Sequence, residues 1–298
     1  MRIPTRSTSE TVIAQLQKLG TQQAQLQKQV STNQRIFLPS DDPAAMGRLL
    51  SIGDEQTQIG QFKKNIGVAS NVAQASYAGL NGLNGLASRA GELATLGGGV
   101  LSDEAAQAYG SEVNQLLEQA VQLGNTRFGT DYLYAGNALG TEPYTVVRDA
   151  SGQITSAAYA GDAGQSSVRL SETASIAPRT DGATNLGIRD FINQLVSLRD
   201  ALNANSGPAI ATAAAGVESS TDPILGAISE NGAIQLRIEV AQTQQTARGD
   251  SLEKLASSEA DADLASTVVK LSQTTTSYEA AMASAAKIMN LSLLDYLS

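Results

Sequence analysis

Residues 264–289 read LASTVVKLSQTTTSYEAAMASAAKIM, and their spacing decides the fold. Leu264, Val268, Leu271, Thr275, Tyr278, Met282, Ala285 and Met289 recur in alternating steps of four and three, and the apolar run continues to Leu293 and Leu294. Such a repeat, averaging about 3.5 residues, belongs to a helix that buries one stripe against another helix. Near the other end of the chain the same repeat returns as Val12, Leu16, Leu19, Gln23, Leu26 and Val30. Two seams so far apart in sequence pair only if the chain doubles back. The expected object is a long antiparallel helical rod with both termini at one end.

The segments between the seams fill in that outline. Ser7 and Glu10 have capping-box spacing and predict the start of the first helix, which runs to about Thr32. Asp42-Pro43 reads as N-cap and first residue of a second helix, with Leu49, Ile52, Ile59 and Ile66 on one face. Gly97-Gly98-Gly99 ends it, and Ser102-Asp103-Glu104 opens a third. From Asp131 to Gly187 the chain turns to Gly, Ser and Thr with short β-type pieces, and Asp149–Gly152 reads as a turn between two strands. Helices resume near Ile188, break at Asn205–Pro208, and restart at Asp222-Pro223. The class is therefore mainly α with a small β-rich insert at the far tip of the rod. The expected divisions are residues 1–40 with 264–298 as a terminal coiled coil, 41–130 with 188–263 as a middle helical bundle, and 131–187 as an outer β domain.

Composition narrows the chemistry. The chain has 298 residues, no Cys, no His and no Trp. Without Cys there are no disulfides, thiolate nucleophiles or thiolate-bound metals, and without His the commonest general base and metal ligand are missing. The net charge of −9 argues against a nucleic-acid footprint, which would be basic. No run approaches the roughly 18 apolar residues of a membrane span, and the start lacks the apolar stretch of a secretory signal. A soluble protein without a cleaved signal peptide is expected.

The chemical motifs have structural explanations. Gly79, Gly82 and Gly85 recur in a helical segment, where close packing is the natural cause. Glu259, Asp261 and Asp263 imitate the first ligands of a calcium loop, but Leu264 and Lys270 occupy the positions that need Gly and Glu. Asp149, Asp162, Arg169, Glu172 and Arg179 are the only candidates for a site in the β insert, and they read as solvated loop charges. No catalytic, cofactor or metal site is expected. The N-terminal seam is short and sits in a Gln- and Thr-rich helix that cannot be strong alone, so the terminal segments are expected to be disordered or fraying in the free subunit and to fold against neighbouring subunits.

Several segments resemble a known family. Arg35-Ile36-Phe37-Leu38-Pro39-Ser40-Asp41-Asp42-Pro43 is similar to the signature after the first helix of the flagellin superfamily, with Arg35, Pro39, Asp41, Asp42 and Pro43 as its marked positions. Asn125–Gly129, Tyr132–Asn137, Glu259–Leu264 and the ending Leu291–Leu297 resemble the hook–filament junction proteins of that superfamily, the hook-associated protein 3 family. The resemblance implies a non-enzymatic structural subunit of the bacterial flagellum, exported without a cleaved signal peptide. It would form a ring of identical subunits between hook-associated protein 1 and flagellin. An export chaperone would hold the C-terminal segment before assembly. A filament-forming flagellin is the alternative, and a non-flagellar coiled-coil adaptor or an enzyme with its site in the β insert is the third.

Overall fold

A computed structural model describes the backbone of residues 5–297 and the side chains of residues 10–287. The described residues form six helices: α1 (Thr5–Thr32), α2 (Pro43–Gly97), α3 (Asp103–Gly124), α4 (Gly182–Asn203), α5 (Gly207–Ala260) and α6 (Leu264–Leu297). Between α3 and α4 lie β1 (Arg127–Phe128), β2 (Asp131–Tyr132), β3 (Tyr144–Arg148), β4 (Ile154–Tyr159), β5 (Val168–Arg169) and β6 (Ser175–Ile176). They pair as three separate antiparallel hairpins, with a register shift at Val147/Arg148. The architecture is mainly α with a small β insert.

The chain forms two compact units. One holds residues up to Thr57 and from Gly249 onward; the other holds Gln58–Arg248. The boundaries fall inside α2 and α5, away from the divisions at residues 40 and 263 expected from the heptads. In the second unit the β hairpins close no outer core of their own. Leu133, Tyr134, Tyr144, Ile154 and Ala157 join the buried cluster of Leu80, Leu83, Val113, Leu117, Phe191, Ile192 and Leu195. Six short strands with one covered face cannot fold unaided, so they borrow the helical core.

Side-chain amides make the join. The Asn125 carboxamide accepts from the Tyr144 N–H at 2.9 Å and donates to the Tyr144 carbonyl at 2.8 Å. The Asn193 carboxamide treats Ala157 the same way, at 2.9 and 3.0 Å. Each therefore imitates a neighbouring strand and satisfies a backbone pair that the helices could not. Tyr134 donates its hydroxyl to the Ser76 carbonyl and Tyr144 to the Asn185 carbonyl, while Tyr159 donates to the Tyr134 and Asp162 carbonyls. A Cβ on Gly79 would lie 2.2 Å from the Tyr134 hydroxyl, and one on Gly82 would lie 3.0 Å from Leu123. Two of the three spaced glycines thus admit close neighbours, whereas Gly85 faces open space.

Three helix starts differ from the sequence reading. α1 already includes Thr5, which puts Ser7 inside the helix and not at its cap. α4 opens at Gly182, because Asp181 accepts the Thr184 N–H at 2.8 Å and caps it six residues early. α5 runs unbroken from Gly207 through Pro223. Pro223 lies against Gly187 of α4, where an added Cβ would come within 2.9 Å, so packing favours keeping it in the helix.

Burial pushes the Tyr134, Tyr144 and Tyr159 phenols above their ordinary range. An unfolded tyrosine ionises near pH ~10, so their contribution to stability is complete below that value and is lost as pH rises through the higher folded values. In an ultraviolet titration, three of the eight tyrosines should ionise only together with loss of the near-ultraviolet dichroism. Ionisation of all of them near pH ~10 with the fold intact would contradict the burial argument.

Candidate assembly interface

The terminal helices pair with each other in the first unit. Gly20 of α1 faces the Tyr278 ring of α6, and Gln23 donates to the Thr275 hydroxyl at 3.3 Å. Moving forward along α1 means moving backward along α6, so the pair is antiparallel. On α1, Val12, Leu16, Leu19, Gln23 and Val30 are half-buried and Leu26 is buried. These are the seam positions named from the sequence.

On α6 the covered stripe is rotated from the expected one. Thr267 and Thr274 are buried, Leu271, Thr275 and Tyr278 are half-buried, and Ala285 is buried. Leu264, Val268 and Met282, expected in the seam, are 44%, 49% and 50% exposed. The physical reason is that α6 carries two overlapping repeats. One runs Thr267, Leu271, Thr274, Tyr278 and Ala285. The other runs Leu264, Val268, Leu271, Thr275, Tyr278, Met282 and Ala285. The burial centres on the first, and Gln23 of α1 still reaches Thr275 of the second, while Leu264, Val268 and Met282 stay outside. Met289, Leu293 and Leu294 have side chains outside the described residues.

A polar corner turns the chain between these helices and their neighbours. Asn33, at φ 57°, breaks α1. Its carbonyl accepts from the Ala262 N–H at 3.0 Å, and the Arg35 N–H donates to the Ala260 carbonyl at 2.6 Å. A tight turn follows, with Pro39 at its second position and the Asp41 N–H donating to the Leu38 carbonyl. Asp41 in return accepts the Phe37 and Leu38 N–H groups at 2.9 and 3.0 Å. Asp42 caps α2 by accepting the Ala45 N–H at 3.0 Å, just ahead of Pro43, the first residue of α2.

Arginines then lock the corner to the end of α5. Arg35 donates to Asp42 at 3.2 Å and to the Glu259 carbonyl at 3.0 Å. Arg48 meets the Glu259 carboxylate in a two-pronged pair at 2.9 and 2.8 Å. The fork matches both oxygens, which gives direction as well as attraction. This pair escaped the sequence reading: Arg48 and Glu259 are 211 residues apart, and only the antiparallel return brings them together. The imitation calcium loop is dispersed among other tasks. Glu259 takes Arg48, Asp261 accepts from Ser257, and Asp263 caps α6 through Ala265 and Ser266.

Comparison with known proteins fits this geometry. Residues 3–138 match the bacterial flagellin N-terminal helical region. The fold is that of solved flagellar hook-associated proteins. The structure of a flagellar hook-associated protein from Vibrio parahaemolyticus is 16% identical and superimposes with a TM-score of 0.66, covering 74% of this chain and 100% of that one. Bacillus cereus FlgL is 20% identical with a TM-score of 0.60, covering 70% of this chain and 99% of its own. The flagellar junction protein FlgL from Legionella pneumophila is 14% identical with a TM-score of 0.52, covering 73% and 100%. No curated protein matches by sequence. Among the described residues, no helix is long and apolar enough to cross a membrane.

Hydrogen bonds from backbone amides hold the Asp41 and Asp42 carboxyls below the usual carboxylate range, and Arg48 does the same for Glu259. Groups lowered by folding stabilise it above the ordinary carboxylate value of about 4 and lose that contribution as pH falls through their folded values. Acidification should therefore lower the amide protection factors, taken against the intrinsic exchange rate at each pH, at Phe37, Leu38 and Ala45 before those of α3 or α4. The Glu259→Gln variant should show at neutral pH the loosened Arg48 that the parent shows only in acid, read from the Arg48 Nε–H resonance. An unchanged resonance in that variant would contradict the lock.

Proposed function

We propose that the chain is a structural, non-enzymatic subunit of the bacterial flagellum, forming a ring at the hook–filament junction. In this reading the ring adapts hook-associated protein 1 on one side to flagellin on the other. The observation that carries it is the second apolar repeat of α6. Leu264, Val268 and Met282 stand exposed at coiled-coil spacing, while the covered face of the same helix is rich in threonine. Solvent-facing apolar residues in a seam pattern suit a helix that receives neighbours on assembly. The fold shared with hook-associated proteins supports the flagellar setting.

The remaining parts follow the same reading. Identical subunits contact each other through the terminal helices, and the subunit is exported to the outside of the cell. Before assembly an export chaperone covers the C-terminal stripe around Tyr278 and Met282. A filament-forming flagellin is the second reading, favoured by the match of residues 3–138 to flagellins. Deleting the gene separates the two. A junction subunit leaves hooks without filaments and unpolymerised flagellin in the medium, whereas loss of the filament protein leaves bare hooks and no flagellin.

Leu271 belongs to both repeats of α6. Leu271→Asp places a charge in both, at a cost on the order of several kcal/mol. Motility should be lost while the second unit keeps its thermal transition. Normal motility of this variant would rule out assembly through α6.

A further inference from the structure

The second unit holds a polar cavity that the assembly role does not use. It lies between α3, α4 and the β3–β4 turn and measures about 330 Å³. Its walls are Gln107, Ser111 and Asn114 from α3, Asn203 from α4 and Gln153 from the turn, and Arg199 forms the floor. Gln107, Ser111 and Asn114 follow the i, i+4, i+7 spacing of one helix face.

The floor is fixed. Arg199 is only 3% exposed. Its guanidinium donates to Asp200 at 2.9 and 2.7 Å, to the Ile154 carbonyl at 2.7 Å and to Asn114 at 3.2 Å. Asp200 already balances its charge, so an anion entering the cavity would have to compete with that carboxylate. The walls, by contrast, are free to engage a guest. Among the described residues, the side chains of Gln107, Ser111, Gln153 and Asn203 make no hydrogen bond within the protein, and the Asn114 amide nitrogen is likewise uncommitted. Gly110 shapes one wall: a Cβ there would lie 2.2 Å from the Asn203 carboxamide oxygen, so Asn203 rests directly on α3.

We infer that this cavity binds a neutral pyranose through its hydroxyl edge. Four carboxamides and a hydroxyl offer donors and acceptors side by side, which is what adjacent sugar hydroxyls require. No unpaired charge in the lining selects an ion. The volume lies at the lower end of the range for small-molecule sites, about 300–1,000 Å³, and suits one sugar ring. The guest is either a free monosaccharide or the terminal residue of a glycan, which share this edge.

The test is an amide-resonance titration of the full chain with glucose, galactose and mannose, and with their methyl glycosides. Saturable millimolar shifts confined to residues 107–114, Gln153 and Asn203 are expected. Binding of the free sugars alone would identify a free monosaccharide as the source, and equal binding of the glycosides a glycan terminus. Asn203→Leu and Gln107→Leu, both at exposed positions, should each weaken binding about tenfold, the effect of losing one good hydrogen bond. Gly110→Ala should do the same by displacing Asn203. Absence of saturable shifts with every sugar would overturn the proposal, as would shifts that survive in variants shown by dichroism to be folded.

Discussion

The structure of the first unit depends on the antiparallel return of α6 along α1. Everything local to that unit follows from it. Once Gln23 faces Thr275, the ends of α1 and α5 come together, and Arg35, Asp42, Arg48 and Glu259 find partners that no nearby residue could supply. These ion pairs are exposed and individually modest. Their value is direction: the two-pronged Arg48–Glu259 contact and the backbone bonds around Asn33 and Ala262 admit one register for the corner.

The same return explains the polar interior of the pair. Thr267, Thr274 and the Gln23–Thr275 hydrogen bond occupy places where a strong coiled coil would put leucine. Polar seam residues sacrifice stability and fix register. Such a seam is specific without being strong. Leu264, Val268 and Met282 of α6 lie on the uncovered side.

Much of this was legible in the sequence. The heptads of residues 12–30 and 264–289 announced the pairing, Asp42-Pro43 marked the start of α2, and the Gly-, Ser- and Thr-rich stretch marked the β insert. Periodicity was less informative about rotation. Leu271, Tyr278 and Ala285 belong to two repeats at once, and spacing alone does not say which repeat α1 covers. Helix punctuation misled at Asp222-Pro223, where the proline lies inside α5 and packs against Gly187. The shared core of the β insert was hidden for a different reason. It rests on Asn125, Asn193 and three tyrosines, polar residues whose burial only the tertiary fold decides. The polar cavity had no sequence signal either, since its residues come from two helices and a turn.

The absence of cysteine allows a direct test of the return. A chain carrying Gln23→Cys and Thr275→Cys should form a disulfide within one molecule under mild oxidation, and pairs displaced by one helical turn on α6 should not. Linkage only between molecules, or equal linkage at displaced positions, would contradict the antiparallel register on which the account rests.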